Sequence, residues 1–458
     1  MTTRARLAYV VMAAASVAAL GRAEEQPAAN PPSASAPVSG VTTSPGEWAR
    51  RVAAVRSVPG FVALWDFVTR DPRTQRFAAH QAPGDHHDFH LDAVNYVRDY
   101  WNEGRPASYD DFPLLGRGPF GQAVRLLPES DRSFRPLLIV PRARLHGSGL
   151  DVKGPGRSVS MVVWLVHETG NHAIGGIWHE GTNLREPHHT PASRVEPGKR
   201  QYALFAGLAA HTGASAAHVS ENGGSSFGDK FARNLSVTPT LIRSVSADAS
   251  AGDVDRAWTM VGFTFDNDRN IVTSYLDDQA QEYWIEAPGV HPFFKWPAAA
   301  WQQAQWRRQP GVQDGEDAAF PEAQFYEPPE HTPRRTELVS QRDGERVEVQ
   351  TFEYTRVRVT SRREPGDAAW RVASRELVAL RANPFWFAHD LYAPAQPEDG
   401  GPFTIGRVIH TSRNVGFTGY IGGVAVFGRA LSPAEMGALA ALATSPIPLS
   451  ATDLQERE

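Results

Sequence analysis

The chain reads as an all-β protein, an antiparallel β-sandwich, on three observations. Its apolar runs are short: Phe61–Phe67, Ser158–Val166, Gln201–Leu208, Trp258–Phe265 and Ile271–Leu276. Turn residues punctuate them. Pro59-Gly60 precedes the first run, and Asp266-Asn267-Asp268 separates the last two, which makes that pair a hairpin. Helical periodicity is scarce, and many short strands between Gly and Pro turns predict a sandwich or barrel.

Size and composition bound the rest. The chain has 458 residues, 41% of them hydrophobic. That exceeds the roughly 250–300 residues at which a single core stops growing, so one decorated domain or two are expected. The net charge of −5 advertises no face for nucleic acid or an anionic membrane. Lysine is confined to Lys153, Lys199, Lys230 and Lys295, and arginine carries the positive charge. Cysteine is absent, which excludes disulfides, thiol chemistry and zinc fingers; any metal must be held by oxygen or imidazole.

The first residues have the three parts of a secretory signal. Arg4 and Arg6 precede an apolar run from Leu7 to Leu20, and Gly21-Arg22-Ala23 supplies small residues for cleavage. The run is short of the about 20 residues that span a bilayer. We therefore expect residues 1–23 to be removed, the product to be periplasmic or extracellular, and no transmembrane span to remain. Residues 24–43, rich in Ala, Pro and Ser, form a linker. The sandwich is expected over 44–445, interrupted by an insertion at 287–400 and followed by a tail at 446–458.

Two helices frame it. Ser44 caps a short one, with Pro45 at its first position and Trp48, Val52 and Val55 on one face. Ser432-Pro433-Ala434-Glu435 is a capping box, Met436, Leu439 and Leu442 form the apolar face behind it, and Ser445-Pro446 ends the helix. In the insertion, the segment Pro297–Glu330 is an irregular loop. One strand alternates from Val347 to Thr360, Pro365-Gly366-Asp367 turns the chain, and Ala369–Leu380 returns. This predicts a β-hairpin, extending the main sheet or standing as a small arm. No repeat at a solenoid or propeller period is visible.

Five segments, in order, carry a family resemblance. Gly118-Pro119-Phe120-Gly121-Gln122-Ala123-Val124 resembles the opening strand of LamG-type jelly rolls of the concanavalin A-like class. Ser158–Trp164 resembles their core strand, and Trp258 with Gly262–Asp266 a second. Tyr275-Leu276-Asp277 resembles the following turn, with Asp278 where glycine is usual. Gly419–Phe427, then Arg429–Ser432 and Glu435, resembles the closing strand and helix. The resemblance covers roughly 60–286 and 401–443. It implies two facing sheets about 10 Å apart, with Trp65, Trp164 and Trp258 in the core. The superfold hosts lectins, adhesive modules, glycoside hydrolases and polysaccharide lyases, so it does not itself name a function.

The chemistry-bearing patterns are sparse. No E-x-D-x-x-E array supplies the paired carboxylates of a glycosidase. Arg335-Thr336-Glu337-Leu338, Val408-Ile409-His410 and Phe293-Phe294-Lys295 are similar to alginate-lyase fragments, but their order is wrong and the catalytic tyrosine is missing. Gly224-Ser225-Ser226-Phe227-Gly228 lies in a loop, not on the strand–turn–helix its motif needs. His167-Glu168-Thr169-Gly170-Asn171-His172 misses the zinc-protease spacing.

Asp85, His87, Asp88 and His90 form the densest cluster of potential metal ligands, suited to zinc or another transition metal. The resemblance adds a possible Ca²⁺ site at Asp266, Asn267 and Asp268, which equally suit a tight turn. Sugar binding needs a flat aromatic ring beside hydrogen-bonding groups. Tyr96, Tyr100, Trp101 and Tyr109, beside Asp110 and Asp111, offer that, as do Trp178, His179 and Glu180; Trp296, Trp301 and Trp306 form a further run. The leading expectation is a non-catalytic protein that binds a glycan or cell-surface polysaccharide. The alternatives are a polysaccharide-degrading enzyme or an adhesive envelope module on the same fold.

Overall fold

A computed structural model describes residues 46–168, 172–179, 199–207, 212–220, 223, 235–280, 284–290, 298–299, 301–302, 332–381, 390–409 and 416–448. The expected signal peptide, linker and tail beyond 448 lie outside these residues, as do Ser44 and Pro45.

The strands in chain order begin with β1 (Phe61–Trp65), β2 (His80–Gln81), β3 (Asp92–Asn95), β4 (Leu114–Leu115), β5 (Arg117–Gly118), β6 (Ala123–Leu126) and β7 (Pro136–Val140). They continue with β8 (Val159–His167), β9 (His172–His179), β10 (Lys199–Ala206), β11 (Ala214–Val219), β12 (Leu235–Leu241), β13 (Thr259–Asp266) and β14 (Ile271–Leu276). The rest are β15 (Trp284–Glu286), β16 (Arg335–Arg342), β17 (Glu345–Thr351), β18 (Thr355–Arg362), β19 (Arg371–Arg381), β20 (Phe403–Ile405), β21 (Gly419–Phe427) and β22 (Ile447–Pro448).

The protein is an all-β antiparallel sandwich. An eight-stranded sheet runs β14-β13-β8-β21-β1-β2, with β6 paired to β21 and β4 to β6. A seven-stranded sheet runs β12-β11-β10-β9-β20-β7-β3. Between them lies the main core, to which Trp65, Met161, Val163, Val261 and Phe263 contribute from the first sheet and Ile177, Tyr202, Leu204 and Phe403 from the second. Trp65 stacks on Phe403 with ring centroids 5.1 Å apart.

The strand β8 is apolar at all positions but Ser160 and His167, because both of its faces are buried. Its second face, with Trp164, packs beneath helices Gly46–Arg56 and Pro433–Ala440 in a separate cluster that includes Val52, Val55, Trp258, Met436 and Leu439. Trp164 and Trp258 are thus buried as expected, but outside the space between the sheets. The closing strand shows why its glycines are needed. A Cβ on Gly422 would meet Trp258 at 2.8 Å, and one on Gly423 would meet Phe120 at 2.6 Å. The β21–β8 register slips between Ile421 and Gly423, a bulge that lets these rings close on the backbone.

In and just before the expected insertion 287–400 the chain builds more than a hairpin, beginning with β15 at Trp284–Glu286. A five-stranded sheet runs β15-β19-β18-β17-β16, with no backbone pairing to the other two sheets among the described residues. The expected strand 347–360 is two strands, β17 and β18, broken at Phe352-Glu353-Tyr354, where Phe352 turns inward against Trp301, Val357 and Val359. Glycine at 344, with φ +76, makes the β16–β17 turn. No helix among the described residues is long and apolar enough to cross a membrane.

Candidate functional site

The β6–β7 loop, the segment after β20 and the approach to β21 meet at one end of the sandwich. Between them lies a cleft of about 220 Å³, whose lining includes Arg105, Asp111, Glu129, Phe134, Arg407 and Phe417.

The cleft is built on charge pairs. Glu129 receives Arg135 Nε on Oε2 at 2.9 Å, while Oε1 takes Arg407 Nη2 and the Gly416 amide, the latter at 3.1 Å. Both oxygens are therefore engaged, and one carboxylate serves two guanidinium groups. Arg135 and Arg407 are 2% and 3% exposed. Arg135 also donates through Nη1 to the carbonyl of Phe134 at 2.9 Å, which fixes the loop.

Arg407 is less completely satisfied. Its Nε and Nη1 meet no acceptor in hydrogen-bonding geometry. The Tyr96 ring lies 5.4 Å from its Cζ. Burial pulls the Arg407 pKa below its ordinary value, and Tyr96 opposes that pull.

The outer wall is more exposed. Arg105 stacks its guanidinium on the Phe134 ring at 3.7 Å and pairs with Asp111. The Arg105 hydrogen bond, followed by that from the Ser108 amide, holds Asp111 below the usual carboxylate range against the effect of burial. Asp131 is also lowered, chiefly by the Ser133 amide and hydroxyl. These two carboxylates are ionised acceptors, suited to hydroxyl donors and not to giving up a proton.

The outer face of the seven-stranded sheet carries a second polar and aromatic group. Arg200 pairs across the ladder with Trp178, and Ala203 with His218. The His218 ring lies 4.4 Å from Trp178, and Phe205 meets Trp178 edge-on at 5.8 Å. After β20 the chain doubles back along β9. Gly406 N donates to Ile174 O, Ile409 N to Trp178 O, and Val408 packs with Trp178 and Phe205.

This corrects several expectations. Trp178 and His179 are in strand β9, not in a loop, and each is only 2% exposed. Neither is an open platform for a sugar ring. Trp178 is packed among Ala173, Ala203, Phe205 and Val408 on the outer face of the sheet. Glu180 lies outside the described residues. Tyr100 and Trp101 end the helix Tyr96–Trp101, which Asn95 caps through Val97 N, but their side chains lie outside the description. Tyr109 is half-buried, with its hydroxyl on Leu91 O at 2.9 Å and its ring edge-on to Phe77. It anchors its loop, while Arg105 and Asp111 on either side of it reach the cleft.

The proposed metal ligands separate into two local pairs. Asp85 Oδ1 engages His87 Nδ1 at 2.6 Å, and Asp88 Oδ1 engages His90 Nδ1 at 2.5 Å. The other Asp88 oxygen takes Arg76 and Arg144, so cations already occupy it. Among the described residues no three His, Asp or Glu side chains converge to hold a metal. The Ca²⁺ expectation fits no better. Asp266 Oδ1 accepts from its own turn at Arg269 N, and Asn267 turns its amide nitrogen toward Asp390.

The short motifs stay apart. Arg335–Leu338 is exposed on β16, whereas Val408 and Ile409 are buried on the seven-stranded sheet. His410, residues 293–295, 224–228 and 169–171, and Trp296 and Trp306 lie outside the described residues. His167 is buried at the end of β8 with Nδ1 on Ser244 Oγ, and Glu168 pairs with Arg125. The cleft residues Glu129, Phe134, Arg407 and Phe417 were not legible as a set, because no spacing links them.

No family model matches the sequence, and no curated protein matches it. Among solved structures, it is similar to domain 4 of AbnA, a GH43 extracellular arabinanase from Geobacillus stearothermophilus in complex with arabinotriose. The identity is 10% and the TM-score 0.27, covering 76% of this chain and 98% of that one. It is also similar to the botulinum neurotoxin serotype G binding domain, at 8% identity and a TM-score of 0.31, covering 83% of this chain and 50% of that one. A Trypanosoma rangeli sialidase in complex with sialic acid shares 9% identity at a TM-score of 0.27, covering 86% of this chain and 37% of that one. The chain thus spans half the length of the toxin domain and less of the sialidase. Overlaps this loose place no ligand, and the cleft stands on its own geometry.

Proposed function

We propose that the chain is an exported glycan-binding protein on a LamG-type, concanavalin A-like jelly roll, with the cleft at Phe134 as its binding site. The observation that carries this reading is a cleft with a phenylalanine ring, ionised carboxylates and arginines side by side. A sugar ring presents a C–H face to an aromatic surface and hydroxyls to charged partners, so it needs this combination. The volume of about 220 Å³ lies below the roughly 300–1,000 Å³ of drug-sized sites and suits a single sugar ring. The closing strand β21 and the capped helix behind it support the jelly-roll assignment.

A glycan array, followed by titration of each hit, tests the reading. Loss of the Phe134 ring removes on the order of 1 kcal/mol of stacking. Phe134→Ala is therefore expected to weaken binding roughly five- to tenfold. A blank array, or hits indifferent to Phe134→Ala, would overturn it.

A further inference from the structure

We propose that the edge strand β16 pairs with β16 of a second copy of this chain, antiparallel about a two-fold axis at Thr336. β16 is the outermost strand of the five-stranded sheet, and all eight of its residues are exposed. Leu338 and Val339 are each 59% exposed. An edge presents unpaired N–H and C=O groups to another strand unless it is short, covered or interrupted by proline. The other strand edges among the described residues are guarded in those ways. β2, β4, β5 and β22 have two residues each, β15 three and β3 four. β14 is largely buried, and β12 carries Pro239.

The charges on β16 select the occupant. In a two-fold dimer residue i faces j while j faces i. With the axis at Thr336, Arg335 lies opposite Glu337 of the second copy, twice over, and Leu338 meets the stem of the second copy's Arg334. Within one strand Arg335 and Glu337 already pair at 2.8 Å, both at least half exposed. A pair so exposed is weak and readily exchanges partners. An axis between Val339 and Ser340 would set Glu337 opposite Arg342. It falls on a bulge, where the ladder with β17 slips between Leu338 and Ser340. The bulge thus ends the flat stretch and keeps Arg342 out of the contact. The resulting interface is small, so the dimer is a weak one.

Sedimentation equilibrium of the full chain across a concentration series is the test. The chain is expected to approach a dimer as concentration rises, and the dimer to weaken with added salt. Arg335→Glu and Glu337→Arg each turn two attractions into two repulsions. Each is expected to weaken the dimer about tenfold or more. The double swap Arg335→Glu/Glu337→Arg restores both attractions and is expected to recover the parental dimer. Arg342→Glu, beyond the bulge, is expected to leave it unchanged. All three side chains are exposed, so the variants are expected to melt like the parent at low concentration. A chain that stays monomeric at every concentration overturns the proposal, even if some other protein pairs with the edge. A dimer that ignores Arg335→Glu, or that the double swap fails to restore, has its interface elsewhere and overturns it as well.

Discussion

Phe427 lies directly opposite Phe61 in the ladder that joins β21 to β1, with their rings edge-on at 6.1 Å. The last long strand of the sandwich thus closes against its first. It is also central, because β21 pairs with β8 along its other edge and with β6 near its start. A fragment ending at residue 286 would lose the strand between β8 and β1 and expose two edges and an apolar face. We expect that fragment to be insoluble or to melt without cooperativity in calorimetry. A soluble fragment with a sharp transition would show that the two ends of the chain fold independently.

Trp178 behaves as a core residue in this fold. Its 2% exposure and its contacts with Phe205, His218 and Val408 leave no free ring face. Trp178→Ala is therefore expected to cost about 3–5 kcal/mol, as Trp164→Ala would, since each empties the volume of a buried indole. Chemical denaturation of both variants checks this. A Trp178→Ala protein as stable as the parent would mean that the ring is accessible after all.

How far the sequence carried the reading follows from what each signal measures. The strands β8, β13 and β14 and the capped C-terminal helix were legible almost to the residue, because apolar runs and a Ser-Pro-x-Glu box are local signals. The break at Phe352 was not, because alternation continues through it and only packing on Trp301 reveals the turn. Trp178 misled for a related reason. The glycines and polar residues around it resemble a loop, yet Gly176 sits in β9, where its φ of +133 and the Tyr202 carbonyl close beside it leave no space for a side chain. The cleft was the least legible. Glu129, Phe134 and Arg407 are brought together only when β20 pairs with both β7 and β9.

Asp66 sets an acid limit on stability. It is fully buried and accepts Trp48 Nε1 and His80 Nε2, each at 2.9 Å, as well as the Val68 and Thr69 amides. Burial pushes its pKa up, but the His80 hydrogen bond and charge, with the Thr69 and Trp48 bonds, outweigh it and hold it below the usual value. A folded pKa below the unfolded one means that stability is present above the unfolded pKa and lost as pH falls through the folded one. The melting temperature is thus expected to fall below about pH 4, and Asp66→Asn should flatten that limb while lowering stability at neutral pH. An acid limb unchanged in Asp66→Asn would place the titration elsewhere.

The Asp85–His90 loop is expected to hold no metal tightly. His87 and His90 are each turned to their own aspartate, and Asp88 also neutralises Arg76 and Arg144. A metal would have to break those pairs before gaining any ligand. Titration with Zn²⁺ or Ca²⁺ should give no saturable heat assignable to this loop. A saturable signal lost in His87→Ala and His90→Ala would reverse that conclusion.

Gly416 offers a test of the cleft's buried pair that needs no ligand. Its amide donates to Glu129 Oε1 at 3.1 Å, and a Cβ placed on it would overlap Arg407 Nη2 and the same Glu129 oxygen. Its backbone is not in the left-handed region, so the effect of a side chain there is purely one of space. Alanine at 416 must push the guanidinium and carboxylate apart or shift the segment leading to β21. Crowding of this kind costs about 1–3 kcal/mol, and separating two buried charges adds to it. Gly116→Ala is the matched control, because a Cβ there meets nothing within 4 Å. Thermal melts are expected to show Gly416→Ala clearly destabilised and Gly116→Ala near the parent. Equal midpoints would mean that the Arg407–Glu129 contact is not held against the backbone at 416, and that the floor of the cleft is looser than its geometry implies.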